Sequence, residues 1–532
     1  MSLWQHRRIA PRRSKPDALA DISRPEFGNS VSNLRALKGA FSGIPFVALL
    51  ALLGLVLVLP VWIVPFPPLV DYPNHLARYF ILAHLHDPNL HLAEFYASRW
   101  AATPYVAVDV LAVLLERFLP IYVTGRIILS LSLIALPLAS YFFLAQISRE
   151  SRYLASWVLV LAYGPIFLVG FINVALGAAL CFLLLGLWLK FVERRRMTDW
   201  LVLLGVATLL YLTHLVGVVI AGVAILAHCL VTRQSLRTVF VSAAIFIPAG
   251  ILYLIASFRG KSYSLTGANS SYKYHLGIAD KVWLFVSPLR GYSHVATLVI
   301  TALLLASVVA AVWRNREIRL NTGWTGVTAV MLFIYSLAPT NFHFMEVRIA
   351  LFLFVFVLSV AQFGRRSRVL GTIGLLAFLG RSLDIEHAFL ARQTELQQWH
   401  ASFEKIPVEA RIFPIVPLDE GAFFRRDYLH FWAYGVIERG WYSPNLFHSV
   451  GIHPLRLKQA YDQLAWLTWL KQPRSWYTIG NAEPNWMEVQ EHFDYLWVFD
   501  VERFSPAISR FSDLIYSRDA LKLYRVRHPR SP

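Results

Sequence analysis

Stretches of about 20 apolar residues recur along this chain, and each is long enough to cross a hydrocarbon core of roughly 30 Å. Among them are "IPFVALLALLGLVLVLPVWIV" (44–64), "VALGAALCFLLLGLWLKF" (174–191) and "LVITALLLASVVAAVW" (298–313). Only 15% of the 532 residues are charged, against about a quarter in an ordinary soluble domain, and the mean hydropathy is +0.51. The chain therefore reads as a polytopic membrane protein. The first 40 residues are polar, basic and Pro-containing, unlike a cleavable signal peptide. The two cysteines, Cys181 and Cys229, both lie in expected spans, which leaves neither a disulfide framework nor a Cys-based metal site.

The net charge of +18 raises the question of nucleic acid, and its distribution answers it. Basic residues gather in the N-terminal tail and in short clusters: Arg149/Arg152, "KFVERRR" (190–196), Arg233/Arg237, "RNREIR" (314–319) and "RRSR" (365–368). Residues 1–42 and these clusters, with the neighbouring acids, carry +15 of the +18. Basic clusters between apolar runs mark the cytoplasmic side, so the charge reports membrane topology and no nucleic-acid partner is expected. Residues 1–42 form a cytoplasmic basic tail. Spans are expected at 43–64, 121–147, 153–169, 171–191, 199–214, 215–231, 238–257, 294–313, 323–339, 347–363 and 369–390. That is an all-α bundle of about 11 spans, occupying 43–394, with a first outer loop at 65–120.

Beyond residue 395 charges become frequent and long apolar runs end. "ARIFPIV" (410–416), "YLWVF" (495–499) and "LKLYRV" (521–526) read as short buried strands. "PLRLKQAYDQLAWLTWL" (454–470) has helical periodicity. Residues 395–532 are expected to form a small extracytoplasmic α/β domain, without a Walker or Rossmann phosphate motif. The aromatic and basic stretch 420–447 suits either sugar faces or an ordinary core.

"PFPPLVDYPNHLARYF" (65–80) follows the first span and holds the first acid since Glu26. Pro65, Pro67 and Pro68 end the span, because proline cannot continue a helical ladder. Pro73 suits the first turn of a new helix. Asp71, His75, Arg78 and Leu82 follow a 4-3-4 spacing that puts them near one face. Leu76, Tyr79, Phe80 and Ala83 lie opposite, suited to resting along a membrane surface. Taken locally, Asp71 is explained by helix-start chemistry, since an acid suits the positive end of a helix.

A cytoplasmic N-terminus, one span and a long outer loop opening on an acid resemble the GT-C glycosyltransferases. The closest likeness is to the branch of the protein O-mannosyltransferases and the lipid A aminoarabinose transferase. "TPYVAVDVLAVLLERFLPIYVTGRIILSLS" (103–132) continues it, with Pro104, Pro120 and Arg126 in comparable places. The chain departs from the O-mannosyltransferases in having one acid, where they carry a paired Asp-Glu, so a divalent metal is left open. The resemblance implies an integral membrane enzyme, in a bacterial inner membrane, moving a sugar from a polyprenyl-phosphate donor to a glycan, lipid or envelope acceptor on the outer face. It implies Asp71 as the catalytic base.

Such chemistry needs a carboxylate for the hydroxyl proton and cations for the departing phosphate. Donor-phosphate candidates are His75 and Arg78. Arg259, Lys261 and Lys273 follow in the outer loop "RGKSYSLTGANSSYKYH" (259–275), and His343, Glu346 and Arg348 in "PTNFHFMEVRIALF" (339–352). Glu346 and Arg348 are two apart and do not face each other on a helix, so separate partners are expected. Asp87 and Glu94 are weaker choices of base. His214 and Asn173, at span mouths, read as satisfied interfacial residues. His75, His84, His86 and His91 lack metal-ligand spacing, so no zinc site is expected. Two other classes share this topology. A flippase for a lipid-linked saccharide would show inverted repeats and mid-span acids, which are few here. A non-catalytic envelope-assembly protein would work through its outer domain.

Overall fold

In a computed structural model, the apolar runs form helices. The structure describes residues 46–192, 194, 196–259, 278–313, 318–338, 345–416, 426–448, 452–458, 484–500 and 502–528. The chain divides into two compact units, Met1–Gly54 and Leu55–Pro532. Of the first, only the opening turns of the helix Phe46–Trp62 are described.

Among the described residues four helical segments are long and apolar enough to cross a bilayer: Ile121–Ile147, Ser151–Val169, Ile172–Phe191 and His294–Trp313. The shorter apolar helices are Leu52–Trp62, Met197–Thr213, Leu215–Val231 and Thr322–Leu337. Large apolar side chains face outward: Leu298 and Leu305 on one helix, and Phe333 and Leu337 on another, are all at least 60% exposed. Contiguous faces of this kind are a liability in water and are matched by lipid. The chain is an integral membrane protein, mostly helical, with a small sheet near its C-terminal end.

Two expected spans differ in form. The span at 238–257 is a pair of helices, Leu236–Ala244 and Ile247–Phe258, bent by 47°. Pro248 enters the second helix at its start, where the missing donor and fixed φ interrupt a continuous ladder. The last expected span, 369–390, is part of one helix running from Arg366 to Ala401. Its extension is held by packing: Trp399 lies against Phe499 at 5.0 Å, and Phe403, just beyond the helix, against Trp497 at 5.6 Å. Two charges near the middle of this helix, Arg381 and Asp384, pair with each other. Arg381 donates to Asp384 at 2.9 Å and to the Leu289 carbonyl.

Trp497 and Phe499 belong to a four-stranded sheet ordered Ile412–Ile415, Tyr495–Phe499, Leu521–Val526, Ser512–Arg518. The first pair is parallel, with Phe413 opposite Leu496, and the others are antiparallel. The three expected strands are present, and Ser512–Arg518 adds a fourth as a hairpin partner. The expected helix at 454–470 is corrected at its start. Leu455–Leu457 is a strand pairing antiparallel with Tyr96–Ser98, and residues 459–470 lie outside the described residues. Helical periodicity in that stretch held no sign of a partner more than 300 residues upstream. This pairing ties the 65–120 segment to the C-terminal region, reinforced by Arg99 N donating to Pro454 O at 2.8 Å.

Candidate active site

The proline-rich turn before Asp71 is irregular backbone in a packed setting, so each polar group needs a partner. Four helical or turn segments supply them. Arg126 donates to the Val64 carbonyl at 3.0 Å. Gln393 donates to the Phe66 carbonyl at 3.0 Å and accepts from its N–H at 3.3 Å. Tyr292 donates to the Pro68 carbonyl at 2.8 Å. The N–H groups of Val70 and Asp71 reach the carbonyls of Leu168 and Val169, at 3.3 and 2.8 Å. Gly170 closes that turn at φ +91°, and a Cβ there would lie 3.1 Å from the Asp71 nitrogen. The position of Asp71 is thus fixed by distant parts of the chain.

Asp71 precedes the helix Tyr72–His84, with proline in the first turn as expected. Its side chain makes no capping bond. What helix-start chemistry leaves the carboxylate is the field at the positive end of the helix, without a capping hydrogen bond. The helix is also no surface helix: Tyr72 to Tyr79 are all buried, Leu76 and Tyr79 completely. It packs against Ala433–Arg439 and Val106–Glu116, and of the face expected to meet lipid Leu76 and Tyr79 are buried within the fold, while Phe80 and Ala83 are half-buried. Where it crosses Ile121–Ile147, Gly125 allows the close approach, since a Cβ there would clash with Tyr72 and Leu76.

The Asp71 carboxylate is 2% exposed, and its Oδ1 has no hydrogen-bond partner. Burial pushes its pKa up to about 8, while the nearby charges of Arg348 and, less strongly, Arg78 pull it back. Arg78 is fully buried and donates through Nε to Asp109 Oδ1 at 2.8 Å. Its Nη1 and Nη2 have no partner. Burial also pushes Asp109 up, with Arg78 opposing. Arg348 stacks over the Phe171 ring at 4.7 Å and bonds Tyr105, a residue held at φ +77°. His430 comes from the C-terminal region, its Nε2 3.6 Å from Asp71 Oδ1.

The structure brings Asp71, His75, Arg78 and Arg348 together. Glu346 pairs instead with Lys281, which also donates to the Ala338 carbonyl at 2.6 Å. Glu346 and Arg348 thus have separate partners. His343, Lys261 and Lys273 lie outside the described residues, as does the side chain of Arg259. Asp87 accepts from Asn89 N at 2.9 Å in a turn, and Glu94 is exposed. His84 lies 3.4 Å from Glu116 and His91 2.6 Å from Glu409, so the loop histidines disperse. His214 is not a satisfied interfacial residue: it is fully buried, and neither ring nitrogen has a hydrogen-bond partner. Asn173 likewise is buried with its Oδ1 unpartnered. Lys281, Tyr105, Asp109 and His430 were missed. Asp109 had a signal, as an acid within the apolar helix "VAVDVLAVLLE". His430 stood in the aromatic stretch 420–447, whose rings Phe431, Trp432, Tyr434 and Trp441 are core.

No protein-family model matches the chain, and no curated protein matches it. Among solved structures it is similar to ArnT from Cupriavidus metallidurans in the apo state, at 11% identity and a TM-score of 0.47. That likeness covers 93% of this chain and 98% of that one. The same protein bound to undecaprenyl phosphate aligns at 11% identity and a TM-score of 0.48, over 90% of this chain and 97% of that one. Likeness at that level transfers neither residues nor ligands, and the site stands on its own geometry.

Proposed function

We propose that this chain is a GT-C-type membrane glycosyltransferase that moves a sugar from a polyprenyl-phosphate donor to a hydroxyl-bearing glycan, lipid or envelope acceptor. The observation that carries the reading is a buried, uncapped carboxylate beside two guanidinium groups. Burying an acid without a hydrogen bond to its Oδ1 is costly, and helix capping does not repay it here. Catalysis gives the arrangement a purpose.

Asp71 accepts the proton of the acceptor hydroxyl as its oxygen attacks the anomeric carbon. The bond from that carbon to the donor phosphate breaks, and the electron pair leaves with the phosphate. Arg348 and the two Nη groups of Arg78 meet the growing charge, and a preorganised guanidinium suits phosphate oxygens. A single displacement with one base inverts the anomeric centre. Arg259, Lys261, Lys273 and His343 are further donor-phosphate contacts in this reading. His75 lines the site, and Glu346 with Lys281 anchors the start of the helix that carries Arg348.

The proposal extends to topology. About 11 spans occupy 43–394 of a bacterial inner membrane. The tail 1–42 is cytoplasmic, and 395–532 forms the extracytoplasmic domain. The test is mass spectrometry of envelope glycans and carrier-linked intermediates in a deletion strain, complemented with wild type or Asp71→Asn. The expected result is one missing sugar, restored by wild type and not by the variant at equal membrane expression. Restoration by Asp71→Asn would remove the assignment. Accumulation of a complete carrier-linked glycan on the inner face would point to transport.

A further inference from the structure

The hydrogen bonds around Asn74 determine which nitrogen of His430 carries its proton. Phe447 N–H can only donate, and it meets Asn74 Oδ1 at 2.8 Å. The Asn445 carbonyl can only accept, and it meets Asn74 Nδ2 at 3.0 Å. The amide orientation is therefore fixed, and the second hydrogen of Nδ2 faces His430 Nδ1 at 3.2 Å. Nδ1 is the acceptor, so the proton of the neutral ring sits on Nε2. That N–H lies 3.6 Å from Asp71 Oδ1, too far for a hydrogen bond.

Both atoms are buried, and neither has a hydrogen-bond partner. His430 is 8% and Asp71 2% exposed. Two buried, unpartnered groups this close call for a shared partner, and an oxygen within hydrogen-bond reach of both sits beside the pair, off the line that joins them, which the side chains must open slightly to admit. One side supplies a donor and the other an acceptor. A hydroxyl is the group that satisfies both, accepting from Nε2–H and donating to Oδ1. The surroundings suit an uncharged ligand. Burial holds the His430 imidazole down to about 3, so it stays neutral, and His75 is lowered for the same reason. The Phe447 ring sits 5.0 Å from His75 and 5.2 Å from His430, offering an apolar face. Among the described residues the charges that act on Asp71 are those of Arg348 and Arg78, and Arg78 is already offset by Asp109.

We propose that the acceptor binds through a hydroxyl held between His430 and Asp71, and that it is a neutral, hydroxyl-bearing group of carbohydrate type. This rests on the glycosyltransferase reading above. His430 becomes a catalytic residue supplied by the C-terminal region. Its N–H occupies one lone pair of the acceptor oxygen and aims the other at the anomeric carbon. The hydroxyl proton passes to Asp71 Oδ1, the new oxygen–carbon bond forms, and the phosphate departs with the electron pair of the broken bond.

The test uses the full chain with membranes of the deletion strain, which lack the sugar and so supply acceptor. His430→Ala is expected to lower transfer at least tenfold, with acceptor KM rising and donor KM unchanged. His430→Gln, which keeps a donor near the Nε2 position, is expected to restore transfer to within about threefold of wild type. Wild-type transfer by His430→Ala, while Asp71→Asn is inactive, would overturn this inference and leave the glycosyltransferase reading standing. His430→Gln as poor as His430→Ala at equal expression would also overturn it, reducing His430 to packing. An active Asp71→Asn would instead sink the reading beneath it.

Discussion

Asp71 is a carboxyl group held in the protonated range by its surroundings. Burial raises it to about 8, so at neutral pH it is mostly protonated. A base must be ionised to act. Transfer rate at low substrate is therefore expected to rise about tenfold per pH unit below pH 8 and level above it. A profile measured on membranes from pH 6 to 9 checks this, and a flat profile would separate Asp71 from the proton transfer. Asp109 acts through its partner. Asp109→Asn strands the fully buried Arg78 charge, and breaking such a pair costs about 3–5 kcal/mol. A clear fall in the thermal unfolding midpoint of detergent-purified protein is expected, together with lower transfer.

At the scale of elements, the turn at 64–71 is held in place by other segments. Gln393, Tyr292 and Arg126 take its carbonyls, and the Leu168–Gly170 turn pairs with its end. Gly170 is where that turn meets Asp71. Alanine there must adopt a left-handed conformation, costing about 1–2 kcal/mol, and its Cβ would press on the Asp71 and Tyr72 nitrogens. Gly170→Ala is expected to lower transfer more than it lowers expression, measured as rate per inserted molecule. Equal losses in both would show that the turn serves folding alone.

At the scale of the whole molecule, the site joins parts of the chain far apart in sequence. Asp71 and Arg78 come from the first loop, Arg348 from a late helix and His430 from the C-terminal region. The strand pair Tyr96–Ser98 with Leu455–Leu457 and the helix Arg366–Ala401 hold those parts together. Topology is tested independently. A reporter fused after residue 320 is expected to read cytoplasmic, and one near residue 270 extracytoplasmic. Reversal of either would put the proposed site on the wrong face.

The sequence by itself determined the membrane character, many of the apolar helices and the strands within 410–416, 495–499 and 521–526, because hydrophobic period and run length are local properties. It also singled out Arg78 and Arg348 as charges beside apolar runs, and Asp71 through the GT-C resemblance. It placed the Asp71 helix on a membrane surface, because the segments that bury it lie hundreds of residues away. It read Leu455–Leu457 as helix for the same reason. Only the tertiary structure gave Glu346 to Lys281, Arg78 to Asp109 and His430 to Asp71. Those pairings depend on which distant elements touch. Contact between elements also decides how far a carboxyl is stripped of water, and so what Asp71 can do.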